Sequence, residues 1–404
     1  MSQIPEHVVV VGAGLGGLRT VEALRARGHA GRITLVGAEV HLPYDRPPLS
    51  KQILNGTWEP TKATFKDAEA LAALDVTTVF GTRAVGLNGT TVELEDGTSL
   101  AGDVVVLATG VTARTLPDQP AGVVTLRTLD DAIALRGAFD QLQSLLVVGA
   151  GFIGAEVACA AHAKDVQVTV LEALPVPVER ALGREVGALA ARLFTEAGID
   201  LRCDTRIARF VDERTVELSD GTTLGADLVL VGIGSLPDVS WLDAAGLDTQ
   251  DGVACDANGR VLGTSGVWAL GDIAAWWDAS RNRFHRNEHW TTTVDQSAVI
   301  ACDILGEQPP PPAVPYVWSD QFGMKIQTFG RTDLAEEVVQ LHGTGMDGGP
   351  VKGTVVGYFA GGVLVGVVGF GAPAKLVRYR AMIAEGASRE SVLAQSDAAT
   401  AVNG

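Results

Sequence analysis

Apolar residues fall along this chain in a pattern that occurs twice. His7-Val8-Val9-Val10-Val11 is a valine run closed by Gly12, as expected of a parallel strand buried on both faces. Leu15 to Arg27 reads as a helix and Arg32-Ile33-Thr34-Leu35-Val36-Gly37 as a second strand, which completes a βαβ unit. Downstream, Ser144-Leu145-Leu146-Val147-Val148 reads as a strand, Phe152 to Ala163 as a helix and Gln167-Val168-Thr169-Val170-Leu171 as a strand. Each unit is followed by a similar β-rich passage. Thr91-Val92-Glu93-Leu94-Glu95-Asp96-Gly97-Thr98 matches Thr215-Val216-Glu217-Leu218-Ser219-Asp220-Gly221-Thr222, with a D-G turn closing a hairpin in both. Buried strands ending in glycine come next, Asp103 to Gly110 and Asp227 to Gly234. Matching order on this scale indicates two homologous halves rather than a short-period repeat. The prolines from Pro309 to Pro312 mark a boundary, and beyond them lie several β-like runs and a helix from about Pro373 to Ala384.

Composition narrows the class. A chain of 404 residues has room for two or three domains, and 47% hydrophobic with 20% charged residues is ordinary globular composition. A net charge of −17 repels phosphate backbones and argues against nucleic acid as a partner. Cys159, Cys203, Cys255 and Cys302 lie far apart, so they suggest neither a metal knuckle nor a C-x-x-C redox pair. The first residues carry no basic n-region, and the apolar stretch Gly361 to Gly371 is about half a membrane span. The expectation is a soluble cytoplasmic protein with no metal site and no membrane partner.

The glycines that open the two units carry the chemistry. Gly12, Gly14 and Gly17 satisfy G-x-G-x-x-G, and so do Gly149, Gly151 and Gly154. The first glycine permits a tight turn, the second lets backbone approach a pyrophosphate, and the third lets helix pack on strand. The pyrophosphate then sits at a helix N-terminus. One such match is weak, but two in strand–turn–helix context are strong. An acidic residue about twenty positions on should hold a ribose; Glu39 and Glu172 are the candidates. No arginine or lysine lies between Glu172 and Glu179, so a 2′-phosphate would meet a carboxylate without a compensating cation. NADH is therefore favoured over NADPH.

Leu42-Pro43-Tyr44-Asp45-Arg46-Pro47-Pro48-Leu49-Ser50-Lys51 resembles the signature of the oxygenase-coupled, NADH-dependent ferredoxin and rubredoxin reductases, which are glutathione-reductase-like flavoproteins. Ala108-Thr109-Gly110, Leu126-Arg127-Thr128, Glu156, Leu270-Gly271-Asp272, Glu288-His289-Trp290 and Tyr316-Val317-Trp318-Ser319-Asp320 follow in that family's order. The resemblance implies an α/β fold of two Rossmann-like domains, binding FAD and NADH, plus a C-terminal α+β domain. Residues 1–112 and 241–308 would form the FAD domain, 113–240 the NADH domain and 309–404 the C-terminal domain. It further implies that Arg46, Thr109, Gly110 and Arg127 contact FAD, with Arg127 at the diphosphate, and that Asp272, after Gly271, bonds the ribityl chain. Glu288, His289 and Trp290 would approach the flavin pyrimidine, ahead of a helix from Thr292 to Leu305 stopped by Gly306. Lys51, held by Glu156, would lie beside flavin N5, and Trp318 near the isoalloxazine. Read without the resemblance, Asp272 suits a turn or N-cap, Lys51 a solvated turn, and His289, Trp290 and Trp318 simple core packing.

The implied activity passes electrons from NADH through FAD to a [2Fe–2S] ferredoxin serving a cytochrome P450 or a dioxygenase. Rubredoxin reductase and a flavin-holding interaction protein of the apoptosis-inducing-factor type are the alternatives. A disulfide reductase is excluded, because that class needs a cysteine pair after the first glycine-rich helix and no cysteine precedes Cys159. An acidic iron–sulfur partner would need a local basic patch, for which Arg281, Arg283, Arg286, Lys325 and Arg331 are candidates. The coenzyme reading is checked by steady-state kinetics. NADH should show much the higher kcat/KM, Glu172→Ala should narrow the gap, and equal values in the unaltered protein would remove Glu172 from coenzyme choice.

Overall fold

In the computed structural model, which describes residues 4–401, the chain forms two compact units. One comprises the chain up to Asp45, Thr61–Thr112 and Ser235–Ala313; the other comprises Arg46–Pro60, Ala113–Gly234 and the chain from Val314 on.

The first unit is built on a five-stranded parallel sheet. Strand β1 (His7–Val11) lies between β2 (Arg32–Gly37) and Val104–Leu107, with Val76–Phe80 and Val267–Ala269 at the edges. Helix α1 (Leu15–Ala26) makes the crossover from β1 to β2. The valine run explains the central position of β1: Val8 and Val10 enter one apolar core with Val21, Leu24 and Ile33, while Val9 and Val11 enter another with Val105 and Val267. The D-G hairpin expected near residue 96 forms a three-stranded antiparallel sheet.

The second unit repeats this plan. Strands β3 (Ser144–Val148) and β4 (Gln167–Leu171), joined by helix α2 (Phe152–His162), lie in a four-stranded parallel sheet with Asp200–Arg202 and Leu228–Val231. Its hairpin near residue 220 also makes a three-stranded antiparallel sheet. The same unit holds a five-stranded antiparallel sheet from residues 316–370, with helix Pro373–Glu385 packed on it. Helix Arg184–Ala197 anchors that sheet. The Arg192 guanidinium donates to the carbonyls of Gly345 and Gly349 at 2.7 and 2.6 Å, and the Tyr358 hydroxyl donates to the Leu182 carbonyl at 2.7 Å.

A matching carboxylate clasp enters each parallel sheet. Asp103 accepts the backbone N–H groups of Glu6 and His7 at 2.8 and 3.0 Å, where β1 begins. Asp227 accepts those of Gln143 and Ser144, both at 2.9 Å, where β3 begins. These donors hold both carboxyls below the ordinary carboxylate value, the His7 and Gln143 amides contributing most. A lowered folded-state pKa gives stability that is present above the unfolded value and lost as pH falls through the folded one. Asp103→Asn and Asp227→Asn keep an oxygen acceptor and lose only the charge. Each should lower the Tm at neutral pH, and the deficit should close in acid once the native aspartate is itself protonated. A deficit that stays constant from neutral pH into acid would show that the charge is not what stabilises the clasp.

Candidate functional site

Both glycine loops have the geometry of an anion cradle. Gly12 and Gly149 turn the chain at φ +113° and +102°, and their N–H groups donate to Val36 and Leu171 carbonyls across the sheet at 2.8 and 2.7 Å. A Cβ on Gly17 would lie 1.9 Å from the Gly12 carbonyl oxygen, and one on Gly154 would lie 2.0 Å from that of Gly149. The third glycine of each loop is thus what brings helix onto strand. Gly14 and Gly151 are the N-caps of α1 and α2; neither provides a side-chain cap, and neither first turn holds an acidic residue. A Cβ on either would meet nothing within 4 Å. The space beside each helix start is open, and helix-start N–H groups with the dipole favour an anion there.

The first loop has further features suited to a dinucleotide. The Thr109 hydroxyl oxygen is buried without a hydrogen-bond partner, next to Gly110 at φ +75°. A buried hydroxyl left unmatched by its own unit suits a ligand's polar group. Ala38 is exposed and has no side-chain acceptor, whereas Glu39, half-buried, accepts from the Tyr44 hydroxyl at 2.6 Å. Asp272 is half-buried in the turn Gly271–Ile273, and its backbone carbonyl accepts from Arg286 at 3.2 Å. The Gly271 N–H donates to the Gln296 side-chain oxygen at 2.8 Å. Helix α3 runs over Trp290–Leu305 with Gly306 left-handed at its end. It starts two residues before the expected Thr292, because extended His289 serves as N-cap and accepts the Thr293 N–H at 3.0 Å. The Trp290 indole N–H donates to Asp45 at 2.9 Å, and Glu288 is held by the Ser235 hydroxyl at 2.7 Å and by Arg286. Residues of four separate segments of one unit thus frame this loop's surroundings, and the residues present fit a dinucleotide such as FAD.

At the second loop, Glu172 at the end of β4 accepts the N–H groups of Ala150 and Leu174 at 2.8 and 2.9 Å. Its carboxylate is therefore fixed at the loop mouth, with acceptor capacity left for a ribose hydroxyl. In the same unit the Arg46 guanidinium donates to the Arg127 carbonyl at 2.6 Å, and the Arg127 N–H donates to Asp131, the residue that closes a capping box with Thr128.

The expected lysine–glutamate pair is present and buried. Lys51 Nζ lies 2.8 Å from Glu156 Oε1, with the side chains 11% and 2% exposed. Two hydroxyls, from Ser50 and Ser319, donate to the same carboxylate, and Gln321 donates to Ser319 at 2.8 Å. These three polar residues were not singled out from sequence, although Ser50 adjoins Lys51 and Ser319 adjoins Trp318. Trp318, in strand β5 (Tyr316–Gln321), stacks on Tyr316 at 5.5 Å and 18°.

Three of the five candidates for a basic patch have carboxylate partners, Lys325 facing Asp320 at 3.8 Å. Arg281 is ion-paired with Asp278, with side chains 7% and 15% exposed, and Arg286 is ion-paired with Glu288 and Asp251. Carboxylates within hydrogen-bond reach neutralise both, while Arg283 is exposed. All four cysteines are free, and burial raises the thiols of Cys159 and Cys203 to about 11 and those of Cys255 and Cys302 above the usual range. At neutral pH these thiols stay protonated and unreactive.

Comparison with known proteins agrees with this geometry. Residues 6–297 match the pyridine nucleotide-disulphide oxidoreductase model, and residues 316–402 match the reductase C-terminal model. The chain is 38% identical to the ferredoxin reductase component of a chlorobenzene dioxygenase from Cupriavidus sp. (strain PS12), covering 85% of this chain and 84% of that protein. It is 36% identical to the ferredoxin–NAD(+) reductase component of the anthranilate 1,2-dioxygenase system of Burkholderia cepacia, over 94% of both. Among solved structures, the reductase in the covalent putidaredoxin reductase–putidaredoxin complex superposes with a TM-score of 0.91 at 30% identity, over 98% of both chains. The chain belongs to the pyridine nucleotide-disulphide oxidoreductase family of FAD- and NAD(H)-using enzymes and carries a reductase C-terminal domain after it.

Proposed function

We propose that this protein is an NADH-dependent ferredoxin reductase, taking electrons from NADH through FAD and delivering them to a [2Fe–2S] ferredoxin that serves a dioxygenase or a cytochrome P450. The observation that carries this reading is the pair of open glycine cradles on homologous sheets, each with its own fixed carboxylate. Two cradles suit two dinucleotides, and an unreactive cysteine set turns the chemistry away from disulfides. The names of the relatives, reductase components of dioxygenase systems, support the acceptor class.

Residues 1–112 and 241–308 would form the FAD domain, 113–240 the NADH domain and 309–404 the C-terminal domain. Gly12, Gly14 and Gly17 would seat the FAD pyrophosphate, with Thr109 and Gly110 beside it, and Glu39 would hold the ribose. Arg46 would contact FAD, Arg127 its diphosphate, Asp272 the ribityl chain, and Glu288, His289 and Trp290 the flavin pyrimidine. Gly149, Gly151 and Gly154 would seat NADH, with Glu172 on its ribose. When bound, FAD supplies the conversion of hydride chemistry into single-electron steps. Lys51 contributes a fixed positive charge that favours the reduced cofactor, Glu156 keeps that charge in place, and Trp318 shapes the electron exit. Among the described residues no helix is long and apolar enough to cross a membrane, in keeping with work in the cytoplasm.

Stopped-flow reduction tests the reading. The purified protein should contain FAD that bleaches with NADH and recovers when a [2Fe–2S] ferredoxin is added. Lys51→Met should retain FAD and reduce it roughly tenfold or more slowly, the change expected from losing about 1.4 kcal/mol of transition-state stabilisation. A protein that binds no flavin, or whose flavin NADH does not reduce, would overturn the function. Reduction of Lys51→Met at the unaltered rate would remove Lys51 from it.

A further inference from the structure

The Lys51–Glu156 pair is one end of a longer chain of donors, all within one unit. Glu156 projects from α2, and its carboxylate receives Lys51 at 2.8 Å and the hydroxyls of Ser50 and Ser319. Ser50 and Lys51 are consecutive in the short turn Leu49–Ile53, so that turn is tied to the carboxylate at two adjacent residues. Ser319 approaches from β5, with 0% of its surface exposed. Positions two apart on a strand share a face, so Gln321 lies beside Ser319, and Tyr316 and Trp318 occupy the other face.

A serine hydroxyl has a single hydrogen to donate. Gln321 Nε2 donates to Ser319 Oγ at 2.8 Å and so occupies a lone pair of that oxygen. The Ser319 hydrogen then has to point at Glu156. With the Gln321 amide reversed, its carbonyl oxygen would compete for that hydrogen, and the carboxylate oxygen facing Lys51 would lose a donor. Gln321 is 2% exposed, and its own carbonyl oxygen is buried without a partner. Only with the amide N–H turned to Ser319 does the serine hydrogen stay available to Glu156, and that is the orientation found.

We infer that Gln321, acting through Ser319, is a positioning residue for hydride transfer: the Gln321–Ser319–Glu156 chain fixes the carboxylate on which the Lys51 ammonium rests. Each donor polarises the next, so the chain acts as a unit. This rests on the reductase function proposed above and extends it to two residues outside the lysine–glutamate pair.

The test uses the FAD-loaded protein with Ser319→Ala, Gln321→Leu, the double variant and the conservative Ser319→Thr. Ser319→Ala should slow flavin reduction by NADH by roughly tenfold, as loss of a hydrogen bond to a charged group implies, and Gln321→Leu, which acts on that bond through Ser319, by up to the same factor. Both should lower the midpoint potential of the bound flavin while leaving KM for NADH nearly unchanged. The double variant should be no slower than the worse single variant, because both lesions cut one chain. Ser319→Thr, which keeps the hydroxyl, should restore rate and potential. Singles that leave the potential unchanged, or that multiply in the double variant, would overturn the inference. If the unaltered protein holds no flavin that NADH reduces, the reductase reading fails first; if it is reduced and the variants behave identically to it, only the Gln321 inference fails.

Discussion

The structure depends on two contacts that tolerate no side chain, where the first turn of a helix presses on the glycine turn before it. At Gly17 and Gly154 the helix backbone comes so close to the Gly12 and Gly149 carbonyls that a Cβ would lie about 2 Å from an oxygen. This closeness holds each helix start over the end of its sheet and sets the direction of the N–H groups there. Around the same point, Gly14 and Gly151 leave room that the protein does not fill. Tight packing on one side of the loop and open space on the other are what turn an ordinary βαβ crossover into a dinucleotide seat.

Charge is handled in the same economical way in both halves. A carboxylate takes the two N–H groups at the start of each central strand, Glu172 stands at the second glycine loop, and Glu39 is held by Tyr44 just after β2. Lys51 and Glu156 are the buried exception. Removing one member of such a pair costs about 3–5 kcal/mol, because an uncompensated charge is left behind. Burial of this pair is reasonable only because Ser50 and Ser319 complete the hydrogen bonding of the carboxylate. Such a site gains a charge of fixed position, which is of more use to electron transfer than to stability.

The parts of this account legible in sequence were those with a periodic or fixed-spacing signal. The valine run of β1, the two glycine loops, the paired D-G hairpins and the left-handed Gly306 stop were all where the pattern placed them. The lysine–glutamate pair was legible only through resemblance, since Lys51 and Glu156 share no local pattern. Ser319 stood within a family motif but carried no sign of its role, because its partner Glu156 lies 163 residues away, and Gln321 lay outside every motif. The basic cluster at Arg281 and Arg286 misled for a different reason: density of arginines was read without the acidic neighbours Asp278 and Glu288, which pair with them from three and two residues away.

The central claim is that the two cradles serve different dinucleotides, and Gly14→Ala and Gly151→Ala test it most directly. Both glycines have extended backbone, and a Cβ there meets no protein atom within 4 Å, so neither change should disturb the fold. The quantity to measure is bound FAD per chain together with the affinity for NADH. Gly14→Ala should purify depleted of flavin, whereas Gly151→Ala should keep its FAD and bind NADH much more weakly. Full flavin with unweakened NADH binding in both variants, or the two losses interchanged, would contradict the account.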